Sequence, residues 1–302
     1  MEVICQGLPA FWINGWLAAI GATVLDPRIR LHWTTSDHLA VLSAADCDPV
    51  DALAESWPKQ ALLEDLPIAE QRKGTGELQR KVPVDSFRQR VQATRSHPHA
   101  WTLSSTMTDL SVDKDGEVAH APFDPSGPGT IKWLHHRLLK THNHVKQPSV
   151  QRIRASLVGE APRVKGNGLG FDPARIGSQA DKTDIYTDPV VEVMTFFGLS
   201  LLPMRGPGVD GRLGSRTSGE GGRQRGWRKP ANSRGAPRFH WPAWQQPLDV
   251  HSIDALLDLL DLWNPDRQKR CQRFGVHAAW RSARYEALST NDPTRGYGSE
   301  RL

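Results

Sequence analysis

The chain is poor in cysteine. Only Cys5, Cys47 and Cys271 occur among its 302 residues, and they lie far apart. Thiols so spaced cannot form a disulfide framework or a four-thiolate zinc site, and they read as the reduced thiols of a cytoplasmic protein. Long apolar runs are missing as well. No stretch approaches the roughly 20 residues that cross a bilayer. The opening MEVICQGLPAFWINGWLAAIG carries no basic residue ahead of its apolar part, so it does not read as a signal peptide. Nor is there a GxSxG nucleophile elbow, an HExxH helix or a phosphate loop closing on GK[ST]. These absences exclude the common hydrolase, zinc-protease and nucleotide-binding patterns. They predict a soluble protein that is not an enzyme and needs no cofactor or metal.

Tryptophan is plentiful, with eleven residues; core and interface packing is the default expectation for most of them. The first 43 residues read as strand, helix and hairpin. Residues 2–8 alternate; Asn14 can cap a helix over 15–22 that ends near Gly21; Ile29, Leu31 and Trp33 alternate with Arg30 and His32 ahead of a turn and a strand over 39–43. That opening predicts an α+β fold, with a mixed or antiparallel sheet and flanking helices. Residues 48–66 read as helix broken near Pro58, 85–95 as helix and 101–108 as strand. The turn-rich loop 121–130 opens into a helix over 131–142, and its small residues 126–130 could seat an anion on free N–H groups. Asp188 and Pro189 start an apolar helix that Gly198 should stop, with a short strand over 199–202. Residues 16–25 (WLAAIGATVL) echo 193–202 (VMTFFGLSLL), each as apolar helix, glycine stop, strand. Structure is expected to resume at 239–244. An amphipathic helix over 251–263 with Ser252 as its cap follows, then a strand turning into helix over 275–285 and a frayed end over 288–302.

The charge is distributed unevenly. Residues 205–238 hold eight arginines, Lys229 and nine glycines against only Asp210 and Glu220, a net +7 where the whole chain is +5, which leaves −2 for the rest. A basic, glycine-rich segment has too little apolar surface to offset its ordering entropy, so it is expected to be a mobile loop until a polyanion orders it. Nucleic acid is the commonest such partner, because neutralised phosphates release counterions. Arg205, Arg212, Arg216, Arg223, Arg225, Arg228, Lys229, Arg234 and Arg238 are the candidate phosphate or groove contacts, and glycine lets the backbone follow the ligand. Trp227, set among Arg and Gly, suits stacking on a base or docking on a protein partner. A second basic stretch over 131–146 contributes Lys132, Arg137 and Lys140. His135, His136, His142 and His144 lie beside them without a zinc-ligand spacing, as part of a basic helix surface. The chain so divides into 1–204, a basic loop 205–238, and 239–302 packing back on the first part.

Asp181, Asp184, Asp188 and Glu192 form an acidic cluster of the kind a metal-dependent nuclease would use. Asp188 is better explained as a helix cap, and no Asp/Glu-x-Lys element accompanies it. A third reading has WPAW (241–244) and the aspartate-bearing helix after it dock on another subunit as a structural assembly protein.

Four segments carry a family resemblance: GWLAAIG (15–21), GLGFDPARI (168–176), DPVVEVMTFFGLSLLP (188–203) and FHWPAWQQPL (239–248). Together they resemble the type I-G (formerly I-U) CRISPR-associated proteins, specifically a short large-subunit-like effector protein. The resemblance implies a non-catalytic subunit of a Cascade-type complex. Its partners would be crRNA, target DNA, other effector subunits and a separate helicase-nuclease that cuts. Guide pairing reads the sequence, while such a subunit holds backbone, reads the adjacent motif or stabilises the opened duplex.

Overall fold

The computed structural model describes residues 1–64, 81–85, 116–119, 134–166, 168–176, 184–202, 227–228, 238–262, 264–284 and 297–302. Strand β1 (Glu2–Pro9) turns, with Trp12 donating its N–H to the Pro9 carbonyl at 3.2 Å, into α1 (Ile13–Leu25), every residue of which is buried. The hairpin β2 (Arg30–Trp33) and β3 (Leu39–Ser43) follows, and β3 lies between β1 and β2 in a three-stranded antiparallel sheet. Asp48 caps α2 (Pro49–Glu55), and α3 (Gln60–Glu64) resumes beyond Pro58. Next come the paired strands β4 (Lys81–Pro83) and β5 (Glu117–Ala119), the helix α4 (Leu134–His142), and α5 (Val150–Val158), capped by Ser149. A short antiparallel pair, β6 (Val164–Lys165) and β7 (Tyr186–Thr187), leads to α6 (Pro189–Gly198), also buried throughout. The last sheet has the order β11-β10-β9-β8. It is built from β8 (Trp227–Arg228), β9 (Arg238–Trp244), β10 (Val276–Arg284) and β11 (Tyr297–Arg301), all antiparallel. Helices α7 (Val250–Leu259) and α8 (Arg267–Arg273) lie between β9 and β10 in the chain. The fold is mixed α+β with small antiparallel sheets, as composition and alternation predict.

The core is organised by the crossing of α1 and α6. A Cβ built on Gly21 would land on the Met194 carbonyl oxygen, and one built on Gly198 would land on that of Leu17. These are the equivalent positions of the two echoing segments. Gly198 is the last residue of α6, as expected, whereas Gly21 does not end α1; the pair lets two backbones touch. Gly21 sits inside α1, which runs on to Leu25, and Asn14 is buried inside it instead of capping it. The turn from Pro9 to Trp12 sets the helix start. After α6 the chain makes a 3-10 turn over Leu199–Leu201 and forms no strand there. Thr195 adds a bond across the crossing, its hydroxyl reaching the Asn14 carbonyl at 3.2 Å.

Three other expectations are corrected. Asp249, not Ser252, caps α7: its carboxylate accepts the Ser252 N–H at 2.8 Å, so Ser252 lies in the first turn and supplies one of its orphan donors. Residues 276–284 are strand throughout, because β10 is held on both sides by β9 and β11. The frayed tail is strand over its last part, where Tyr297 to Arg301 pair with Arg284 to Trp280. The expected helix 85–95 beyond Asp85, the strand 101–108 and the anion seat 126–130 lie outside the described residues.

Candidate nucleic-acid interface

The basic segment is rooted in the last sheet. Trp227 pairs with Phe239 and Arg228 with Arg238, so the two ends of the stretch 229–237 leave the sheet side by side from neighbouring strands. The register sets Arg228 opposite Arg238.

The strand carrying this root is fastened deeply. Phe239, Trp241 and Trp244 are fully buried or nearly so. Three indole N–H groups tie β9 to the N-terminal elements: Trp16 donates to the Pro242 carbonyl at 2.8 Å, Trp241 to that of Ala10 at 2.7 Å, and Trp244 to that of Leu31 at 2.9 Å. Trp16 meets Phe239 edge-on at 5.8 Å, and Trp33 meets Trp244 at 6.2 Å. The bridge between Leu31 and Leu248 joins the edge of the first sheet to the chain just beyond β9. WPAW cannot dock on another subunit: the two tryptophans that would do so are interior, and their N–H groups are satisfied within the chain.

The outer face of β9 and β10 carries charge. Arg281 lies opposite His240 in the register, and Glu300 of β11 lies opposite Arg281. The Glu300 carboxylate accepts from Arg281 Nε at 2.6 Å and stands 3.7 Å from Arg238. His240 is buried, with its pKa pushed down to about 4. Burial is the main cause, opposed by a bond to the Leu262 backbone, and the charges of Arg281, Arg267 and Arg238 lower it further. Three arginines from three elements thus act on one imidazole through their charge. Arg267 begins α8, which packs on β10.

Of the predicted contacts, Arg228 and Arg238 are brought together at the root, and Trp227 sits beside them in β8. Arg205, Arg212, Arg216, Arg223, Arg225, Lys229 and Arg234 lie outside the described residues, as does Lys132. Arg137 is half-buried and Lys140 exposed on α4, a separate element that packs against α6 and α3. His142 is not part of a basic surface. It is buried, its Nε2 lies 2.8 Å from the Pro58 carbonyl, and burial holds its pKa below the usual value.

The acidic cluster serves the fold. Asp188 accepts the Val190 N–H at 2.9 Å and the Ser156 hydroxyl at 3.1 Å, with Arg152 at 3.5 Å. Glu192 is fully buried and accepts the Leu169 N–H, a contact that requires Gly168: its φ of 48° is left-handed, and a Cβ there would strike the carboxylate. Asp184 pairs with Lys165 at 2.8 Å, and Asp181 lies outside the described residues. Cys5 is buried, and burial raises its thiol to about 12, far from a nucleophile's range.

Sequence reasoning missed α8. The run RQKRCQR places Arg267, Lys269, Arg270 and Arg273 in seven residues without an acid. Its signal was the charge run itself, which is shorter and lacks the glycine bias of 205–238. No family model matches the chain, and no curated protein or solved structure matches it either.

Proposed function

We propose that this protein is a non-catalytic, nucleic-acid-binding subunit of an RNA-guided, Cascade-type complex. In it the basic segment grips the phosphate backbone of crRNA or target DNA, and cleavage is left to a separate helicase-nuclease. The observation that carries the nucleic-acid part is the net +7 of residues 205–238, set on an otherwise mildly acidic chain and anchored through Trp227–Arg228 and Arg238 to a buried strand. A charged segment so anchored can contact a polyanion without disturbing the core. The assignment to an RNA-guided complex rests on the four resembling segments. Much of their content has a structural job: the α1–α6 crossing, the loop that seats Glu192, and the buried face of β9. The functional difference would therefore lie in the basic segment between them.

The test replaces 206–236 by a Gly-Ser linker and measures binding of labelled RNA and duplex DNA over a salt series. Intact protein is expected to bind with an affinity that falls steeply as salt rises. The replaced protein should keep its melting temperature and lose that binding. Unchanged binding would remove the segment from the function, and absence of any binding by the intact protein would remove nucleic acid.

A further inference from the structure

Resting on the nucleic-acid reading above, we infer that α8 is a second backbone-contacting surface, on which Arg267, Lys269, Arg270 and Arg273 extend the grip beyond the root of the basic segment. No residue of α8 is buried. Its hold on the core comes through the partly buried Cys271 and Phe274. At 3.6 residues per turn the four cations fall within about 160° of the helix circumference and along about 9 Å of its axis. Cations so crowded repel one another.

Elsewhere Arg28, Arg152, Arg154, Arg163 and Arg281 each pair with a carboxylate. The four cations of α8 have no ion pair among the described residues. Helix electrostatics accounts for only part of the pattern. Arg270 and Arg273 in the last turn favour the C-terminal end of the dipole, but Arg267 in the first turn opposes the N-terminal end. The run is therefore not a helix-stabilising device as a whole.

Position selects the ligand. Arg267 begins a helix that packs on β10, the strand whose Arg281 lies opposite His240 of β9. The charged face so runs from the root of the basic segment, across β9 and β10, to α8. A duplex strand carries one phosphate per about 3.4 Å of axis, so a cation-bearing length of about 9 Å meets roughly three. Three of the four cations are arginine, whose planar fork fits phosphate oxygens bidentately.

The experiment substitutes Arg267→Gln, Lys269→Gln, Arg270→Gln and Arg273→Gln together, since glutamine keeps helix propensity. Binding of a fluorescein-labelled oligouridylate is measured over a salt series, beside intact protein and the linker-replaced protein. The slope of log affinity against log salt should become shallower by about 2, at roughly 0.7 for each of about three lost phosphate contacts. Should the quadruple variant melt early, Lys269→Gln with Arg270→Gln is read instead, with a loss of slope of about 1.4.

A slope unchanged in these variants, while the linker-replaced protein no longer binds, overturns the α8 surface and leaves the proposed function standing. A shallower slope, while the linker-replaced protein binds normally, supports α8 and removes the basic segment instead. Intact protein that does not bind the RNA overturns both. A variant that loses binding to polyglutamate but keeps the RNA slope overturns the inference in favour of an acidic protein.

Discussion

His240 shows how one buried side chain reports on its surroundings. Burial, then the charges of Arg281, Arg267 and Arg238, depress its pKa to about 4, below the value near 6.5 of an unfolded histidine. The unfolded chain therefore takes up a proton first as pH falls. The neutral imidazole contributes its full stability above pH ~6.5, and that contribution is lost progressively toward pH 4. A depression from near 6.5 to about 4 corresponds to about 3 kcal/mol across that interval. Urea denaturation at a series of pH values should show the fall, and His240→Asn should remove most of it. A variant whose stability falls with pH as steeply as the native protein's would mean that another group controls acid unfolding. Imidazole resonances give an independent check: His240 should stay neutral at pH 5.5 in the free protein. The other cation-bearing groups at the site give no such signal, since guanidinium does not titrate in this range.

At the level of elements, the crossing of α1 and α6 is the contact on which the core depends. A methyl group at Gly21 or Gly198 would be driven into a carbonyl oxygen of the opposite helix, and backbone cannot rotate away as a long side chain can. Gly21→Ala and Gly198→Ala should each destabilise by about 1–3 kcal/mol or more, as overpacking does. Because either substitution forces the same two helices apart, the double variant should cost less than the sum. Strict additivity in denaturant melts would mean that the helices do not share a rigid contact. This is also where the sequence misled. An apolar helix with a glycine near its end has the look of a helix and its stop, and a glycine required by a partner 177 positions away in the chain gives the same local pattern. Local chemistry was legible: Asp188 with Pro189 begins α6 as expected, and the break at Pro58 falls between α2 and α3. Elements held by their neighbours were not. β11 is five residues, YGSER, with little alternation, and becomes strand because β10 offers an edge. β9 contains Pro242, which argues against an inner strand. Among the described residues β8 pairs only with Arg238 and Phe239, so Pro242 has a single strand neighbour, and the Trp16 indole occupies its carbonyl. The buried role of WPAW was invisible for the same reason: it depends on Ala10, Leu31 and Trp16, all more than two hundred residues upstream.

For the molecule as a whole, the basic segment interrupts a single hydrophobic core. Residues of α1, α6, β9 and β10 belong to one buried cluster, and the three indole bonds cross from the N-terminal elements to β9. The composition of 205–238 predicts a stretch with no core of its own and eight arginines that trypsin recognises. Brief digestion should therefore cut within that stretch first, giving fragments near 1–205 and 239–302. Those fragments should stay together in gel filtration, because the buried surface of β9 and β10 against α1 and β2 does not depend on the connecting chain. Denaturant should separate them. Adding RNA before the protease should slow the cut, since a strand bound along the arginines covers the cleavage sites, and raising the salt should restore it. Fragments that part in native buffer would show that the two stretches do not form one core. A cut whose rate ignores both RNA and salt would show that the arginines do not lie under the ligand, and the binding surface would then have to be sought on α8 alone.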